Sequence, residues 1–232
     1  MLRENWQIVK EKAAKAAISC NRLPEDIKII AVSKTKPVEM VYAAIEAGMN
    51  LFGENYAQEL QSKYMAFKEK QIQQPEWHFI GTLQRNNAKY IVPFATMIHS
   101  VDSGKLADEI NKRAAENNRI IDCLLQVNTS GEYSKSGEDP DQILDLAKEV
   151  MRHKNLNVKG LMSIGSFTED EVISRNEFKI LRDCLSLVNA KLGIDLKELS
   201  MGMTHDFHIA IEEGATMVRV GTAIFGNRLY SK

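Results

Sequence analysis

Ile29-Ile30-Ala31-Val32-Ser33-Lys34-Thr35-Lys36-Pro37 decides the fold. Four apolar residues rich in β-branching read as a buried strand. Pro37 cannot donate to a sheet ladder, so pairing stops near it. Lys34 therefore sits where a strand gives way to a loop. A lysine ammonium at such a place is readily shifted toward the neutral amine. A neutral amine attacks carbonyl groups and forms Schiff bases. The plainer reading is a strand-end lysine with its head in water, and only the rest of the chain separates the two.

Outward from this stretch, strands and helices alternate. Residues 2–21 read as an amphipathic helix with Leu2, Trp6, Val9, Ala13, Ala16 and Cys20 on one face. After the strand at 27–33 come a helix at 38–47, a strand at 50–53 and a charged helix at 54–70. Strands follow at 77–80, 97–100, 120–127, 157–164, 196–199 and 217–220. Between them lie helices at 81–90, 103–117, 140–153, 170–191 and 204–213, and a last helical turn follows Gly221. Strict alternation argues for a parallel sheet covered by helices. Eight such units in 232 residues suit a single (β/α)8 TIM-like barrel with an extra N-terminal helix, spanning residues 1–232 as one domain. An open doubly wound sheet is the alternative.

Composition narrows the function classes. A net charge of −1 gives no general pull toward nucleic acid or membrane. No apolar run approaches bilayer-spanning length. Cys20, Cys123 and Cys184 match no zinc or redox spacing, which fits a reducing, cytoplasmic setting.

Active sites of such barrels lie at the C-terminal ends of the strands, with phosphate sites after strands seven and eight. Ser200-Met201-Gly202-Met203-Thr204 follows strand seven, with Thr204 placed to cap the next helix. Gly221-Thr222 follows strand eight. These residues are either plain turn and cap residues or two halves of a phosphate cradle. Strand alternation puts Met217, Arg219 and Gly221 on one face, so Arg219 points into the barrel mouth. A guanidinium there needs a partner, either a carboxylate or a ring nitrogen of a cofactor. Asn55, His78, Gln84, His99, Asp102 and Asn128 complete a polar rim, although His78 also suits a hydrogen-bonded core position. Residues 129–137 form a long polar loop, either a lid or a solvated connection. His205 and His208 have metal-compatible spacing but lack an evident third ligand, so no metal is expected.

Read in order, Ala31–Pro37, Phe52-Gly53-Glu54-Asn55-Tyr56, Trp77–Gln84, His99-Ser100-Val101-Asp102 and Gln126-Val127-Asn128 are familiar. So are Gly160-Leu161-Met162, Leu199–Met203 and Val218–Gly226. Together they resemble the pyridoxal-phosphate homeostasis protein family, related to the N-terminal barrel of alanine racemase. The resemblance covers essentially the whole chain. It implies pyridoxal 5'-phosphate (PLP) held by Lys34 as a Schiff base, with Lys36 the competing lysine. It further implies phosphate binding by Ser200, Met201, Gly202, Thr204, Gly221 and Thr222, and Arg219 at the pyridine nitrogen. Asn55 and His78 would line the same site. Asn86-Asn87 and Thr204 depart from the usual pattern of an Asn-Lys pair and a serine.

An arginine at the ring nitrogen discourages ring protonation and so weakens the cofactor as an electron sink. The expected role is binding, buffering and delivering PLP, to PLP-dependent apoenzymes among other recipients, without robust catalysis. The related racemase takes its second proton-transfer group from an additional domain, and no such domain is expected here after the last barrel motif. The competing readings are a PLP-dependent amino-acid racemase using Tyr56, His78 or Tyr133, and a Schiff-base aldolase. Monomer and homodimer both remain open.

Overall fold

A computed structural model describes residues 1–132 and 135–227. Its eight strands close into a parallel barrel in simple sequence order: β1 (Lys28–Val32), β2 (Leu51–Glu54), β3 (Glu76–Phe79), β4 (Met97–Val101), β5 (Ile121–Val127), β6 (Leu156–Ser163), β7 (Glu198–Ser200) and β8 (Met217–Val220). Strands β1 and β8 close the ring, with Ile30 opposite Arg219 and Ala31 opposite Val220. The helices α2 (Val38–Glu46), α3 (Ala57–Glu69), α4 (Ala88–Ile91), α5 (Gly104–Glu116), α6 (Ile143–Val150), α7 (Glu171–Leu192), α8 (Phe207–Glu212) and α9 (Thr222–Phe225) follow the strands in turn. The extra helix α1 (Leu2–Ser19) packs on α8 and α9. It does so through the buried stripe Val9, Ala13, Ala16 and Ala17, the face its period predicts.

Strand alternation divides the core in two. Ile30, Met97, Leu124, Met162 and Met217 pack together inside the barrel. Ala31, Phe52, Trp77, Phe79, Ile98, Cys123, Leu125, Leu161, Val218 and Val220 face the helices in the larger outer layer. Each strand therefore buries both faces, as an all-parallel sheet requires. The inner apolar layer is a floor, and polar side chains sit above it.

Three element boundaries differ from the pattern-based expectation. Glu54 ends β2 instead of opening a helix, and α3 starts at Ala57. The expected helix at 81–90 shortens to a 3-10 turn at Arg85–Asn87 and α4. Gly81 lies against the Asn55 backbone, where a Cβ would collide, so the chain passes too close there for any larger residue. Helix α8 begins at Phe207 with Asp206 at its N-cap position, so Thr204 is not the cap.

Candidate functional site

The C-terminal ends of the strands surround a cavity of about 570 Å³, within the usual range for a small-molecule site. Val32, Lys34, Asn55, Arg219, Gly221 and Thr222 line one part of it. Met203, Thr204, His205 and Asp206 line another, and Ile164, Ser166, Phe167, Thr168, Glu169 and Glu171 a third.

Lys34 is half-buried in the turn that follows β1. The Ser33 N–H still donates to Gly53 O at 3.1 Å, so the ladder reaches the residue just before the lysine. Lys36 lies elsewhere. Its Nζ donates to the carbonyls of Phe225, Gly226 and Asn227 at 3.1–3.2 Å, at the end of α9. A cation on a helix's terminal carbonyls is a common structural arrangement.

Arg219 is fully buried on β8, as the alternation of its neighbours requires. Its Nη1 donates to Ser200 Oγ at 2.7 Å and its Nη2 to the Ser163 carbonyl at 2.8 Å. Among the described residues its hydrogen-bond partners are a hydroxyl and a carbonyl, with the Asp206 charge acting on it without a hydrogen bond. Burial pushes the guanidinium down to about 10, which leaves it a cation at neutral pH. Ser200 Oγ also lies 3.0 Å from His99 Nδ1, and His99 Nε2 lies 2.9 Å from His78 Nδ1. Since Ser200 Oγ accepts from the guanidinium, its own hydrogen goes to His99 Nδ1. His99 then carries its proton on Nε2 and donates to His78. Burial, reinforced by the Lys28 charge, pushes His78 down to about 3. Burial holds His99 well below its ordinary value, with the charges of His78, Arg219 and Lys28 adding to the effect. Both rings are neutral.

The loops after β7 and β8 meet at the cavity. Thr204 Oγ1 accepts from the Gly221 N–H at 3.3 Å, which ties the two loops together. Thr222 opens α9, and the first N–H groups of a helix have no partner within it. Gly202 takes φ +85°, and a Cβ there would press on Phe207 and Ala210. Met201 points into the outer apolar layer and offers the cavity no side chain.

Of the ten residues the sequence singles out, Lys34, Asn55, Thr204, Arg219, Gly221 and Thr222 line the cavity. Ser200 and His78 lie beneath it in the chain of polar contacts from Arg219, and Met201 and Gly202 shape the loop. Asn55 Oδ1 is buried and finds no hydrogen-bond partner among the described residues. Tyr56 is exposed and lines a neighbouring hollow, while Tyr133 lies outside the described residues. His205 lines the cavity, and no metal-holding group of three ligands exists among the described residues. The segment after β6, which holds none of the residues the sequence singles out, also forms part of the cavity wall. Glu177 anchors it by accepting from the Ser166 N–H at 2.7 Å and from the Ser166 hydroxyl at 2.5 Å. Phe167 stands almost fully exposed, edge-on to His205.

A second polar cluster lies behind Lys34. Lys63 on α3 is buried and donates to Ser33 O at 2.7 Å, Glu54 Oε1 at 2.5 Å and Glu59 Oε1 at 2.8 Å. Ser33 Oγ donates to Glu54 Oε1 at 2.6 Å. Burial pushes the Glu54 carboxyl up to about 7, with the Lys63 charge pulling the other way.

Residues 1–228 match the family model "Alanine racemase, N-terminal domain". The chain is 41% identical over 227 residues to the pyridoxal phosphate homeostasis protein of Aquifex aeolicus, covering 98% of both chains. It is 38% identical to the protein of the same name from Escherichia coli K12, covering 100% of this chain and 98% of that one. The solved structure of PipY from Synechococcus elongatus PCC7942, with PLP bound, superposes at TM-score 0.85 and 30% identity, covering 97% of this chain and 100% of that one. Alanine racemase from Clostridium difficile 630 superposes at TM-score 0.75 with 15% identity, covering 100% of this chain and 60% of that one. That last likeness concerns the fold alone. No helix among the described residues is long and apolar enough to cross a membrane. Matched along nearly its full length by these relatives, the chain belongs to the pyridoxal phosphate homeostasis protein family, with the fold of the alanine racemase N-terminal domain.

Proposed function

We propose that this protein binds PLP through a Schiff base at Lys34 and serves to hold and hand on the cofactor. The observation that carries the reading is the convergence of Lys34, Arg219 and the joined Thr204 and Gly221-Thr222 loops on one cavity. PipY, the relative with PLP bound, supports it. The residues present fit the group. Arg219 offers a buried cationic donor to a ring nitrogen, and Asn55 Oδ1 is an orphaned acceptor in the cavity wall. The N–H groups at the start of α9 and the Thr204 and Thr222 hydroxyls suit a phosphate. Glu169, Glu171 and Asp206 also line the cavity, so the anion would be met by aimed dipoles more than by a general positive field.

Bound PLP would supply an electron sink for carbanion chemistry at amino acids. The chain's own residues limit that chemistry. Arg219 keeps its proton and can only donate, so it holds a ring nitrogen in the unprotonated form. His78 and His99 are buried, neutral and not part of the cavity lining, and Tyr56 lines the neighbouring hollow. A racemase needs a proton-transfer group on each face of the cofactor. Neither Tyr56 nor His78 lines the cavity, and Tyr133, the third candidate for that role, lies outside the described residues. A reservoir that passes PLP to apoenzymes is the role we read from this, and it requires release on a useful timescale.

Titration of PLP into the purified protein, followed by visible absorbance, tests the reading. Wild type is expected to develop the band of a lysine-bound aldehyde, and Lys34→Ala to lack it. Transfer of bound PLP to an added apoenzyme, with no measurable loss of α-deuterium from amino acids, would match the role. Rapid α-deuterium loss would favour the racemase instead.

A further inference from the structure

The backbone on both sides of Lys34 is tied to one buried ammonium. Lys63 spends all three of its N–H donors, on Ser33 O, Glu54 Oε1 and Glu59 Oε1. The Ser33 carbonyl belongs to the peptide bond that precedes Lys34. The peptide bond that follows Lys34 is held as well, because the Thr35 N–H donates to Glu59 Oε1 at 2.7 Å. Thr35 has φ +63°, a left-handed conformation that is unusual for a β-branched residue. Such a residue persists only where its surroundings over-determine it. Here the surroundings are Glu59, fixed in turn by Lys63 one helical turn away.

Fold stability alone does not account for this cluster. Lys63 and Glu54 have 4% and 0% of their surface exposed. Apolar residues of similar volume commonly replace such a buried pair at no loss of stability. The cluster is costly, local, and wrapped around a single turn. We propose that Lys63, Glu54 and Glu59 are positioning residues that set the direction in which Lys34 enters the cavity. Glu59 is the direct link to the strained turn. This inference rests on Lys34 being the PLP-bearing lysine. A reacting amine must approach the aldehyde within a narrow geometry, so releasing the turn should slow attachment more than it unfolds the protein.

Glu59 is partly exposed, which makes it the variant of choice. Glu59→Ala frees the Thr35 N–H; Glu59→Asp keeps a charge for Lys63 but withdraws the oxygen; Glu59→Gln keeps an oxygen in place. The rate and extent of PLP attachment to Lys34 are measured by absorbance and by borohydride trapping. Hydrogen exchange at the Thr35 amide is measured separately on the protein without PLP. We expect Glu59→Ala and Glu59→Asp to load at least about tenfold more slowly, with Thr35 exchange raised by a similar factor. Glu59→Gln should stay within about twofold of wild type. Wild-type loading in a folded Glu59→Ala or Glu59→Asp protein overturns the inference alone. A wild-type protein that never takes up PLP at Lys34 overturns it together with the functional reading beneath it.

Discussion

Arg219 donates from Nη1 to Ser200 Oγ at 2.7 Å, and this contact commits the Ser200 hydroxyl beneath the cavity. The serine joins the guanidinium to His99 and through it to His78. Ser200 therefore fixes the direction of Arg219, which leaves Thr204, Gly221 and Thr222 as the residues proposed to meet the phosphate. Ser200→Ala leaves Arg219 Nη1 and His99 Nδ1 without their shared partner. Urea unfolding should show a loss on the order of 1–3 kcal/mol. A change within about 0.5 kcal/mol would place the variant among ordinary surface substitutions.

Stability should fall in acid through His78. Its pKa is ordinarily 6.5 and burial pushes it down to about 3 in the folded chain. The unfolded chain therefore binds the proton first. The stabilising contribution is intact above pH 6.5 and is lost as pH falls toward 3. Each pH unit in that window costs about 1.4 kcal/mol for a ring held neutral. Asn in place of this histidine keeps an acceptor for His99 without the titration. Thermal unfolding of His78→Asn should thus depend less on pH than wild type between pH 6.5 and about 4. Parallel slopes would contradict the assignment.

Lys63→Met removes the cation from a buried carboxylate. Such a break costs about 3–5 kcal/mol at neutral pH. Glu54 is already pushed up to about 7 by burial, so the folded variant takes up a proton more readily than the unfolded chain. Losing Lys63 raises that carboxyl further, so the deficit relative to wild type should shrink as pH falls from alkaline values toward about 7, where wild type takes up the proton as well. Denaturant melts at two pH values check both the size and the direction.

Thr204→Val keeps the volume and removes the hydroxyl that accepts from the Gly221 N–H. The two loops lose their link at the proposed phosphate site. Affinity for PLP should drop by roughly tenfold, with little change in melting temperature. Unchanged affinity, measured by equilibrium titration, would move the phosphate away from these loops.

Much of this architecture could be read from periodicity. The run Ile29–Val32 ending at Lys34 and the alternation around Arg219 are local signals, and both residues come to line the cavity. What escaped was tertiary. Thr204 looks like a cap by its spacing, yet its hydroxyl is used across to the neighbouring loop. Lys63 sits in a run of polar residues that reads as a solvated helix face, and its burial depends on Glu54 at the end of a different element. In the 164–171 segment, Glu169-Asp170-Glu171 reads as the charged opening of α7, and nothing local signals that Ile164, Ser166, Phe167 and Thr168 reach the cavity. His78 shows the same limit. One histidine in a strand gives no sign that His99, two strand residues above Met97, will meet its ring.

The central claim concerns one nitrogen. The direct measurement is borohydride reduction of the PLP-treated protein, followed by proteolysis and mass-spectrometric mapping of the modified peptide. The pyridoxyl group is expected on Lys34, in stoichiometric yield. Its appearance on Lys36 or another amine, or no modification at all, would contradict the account.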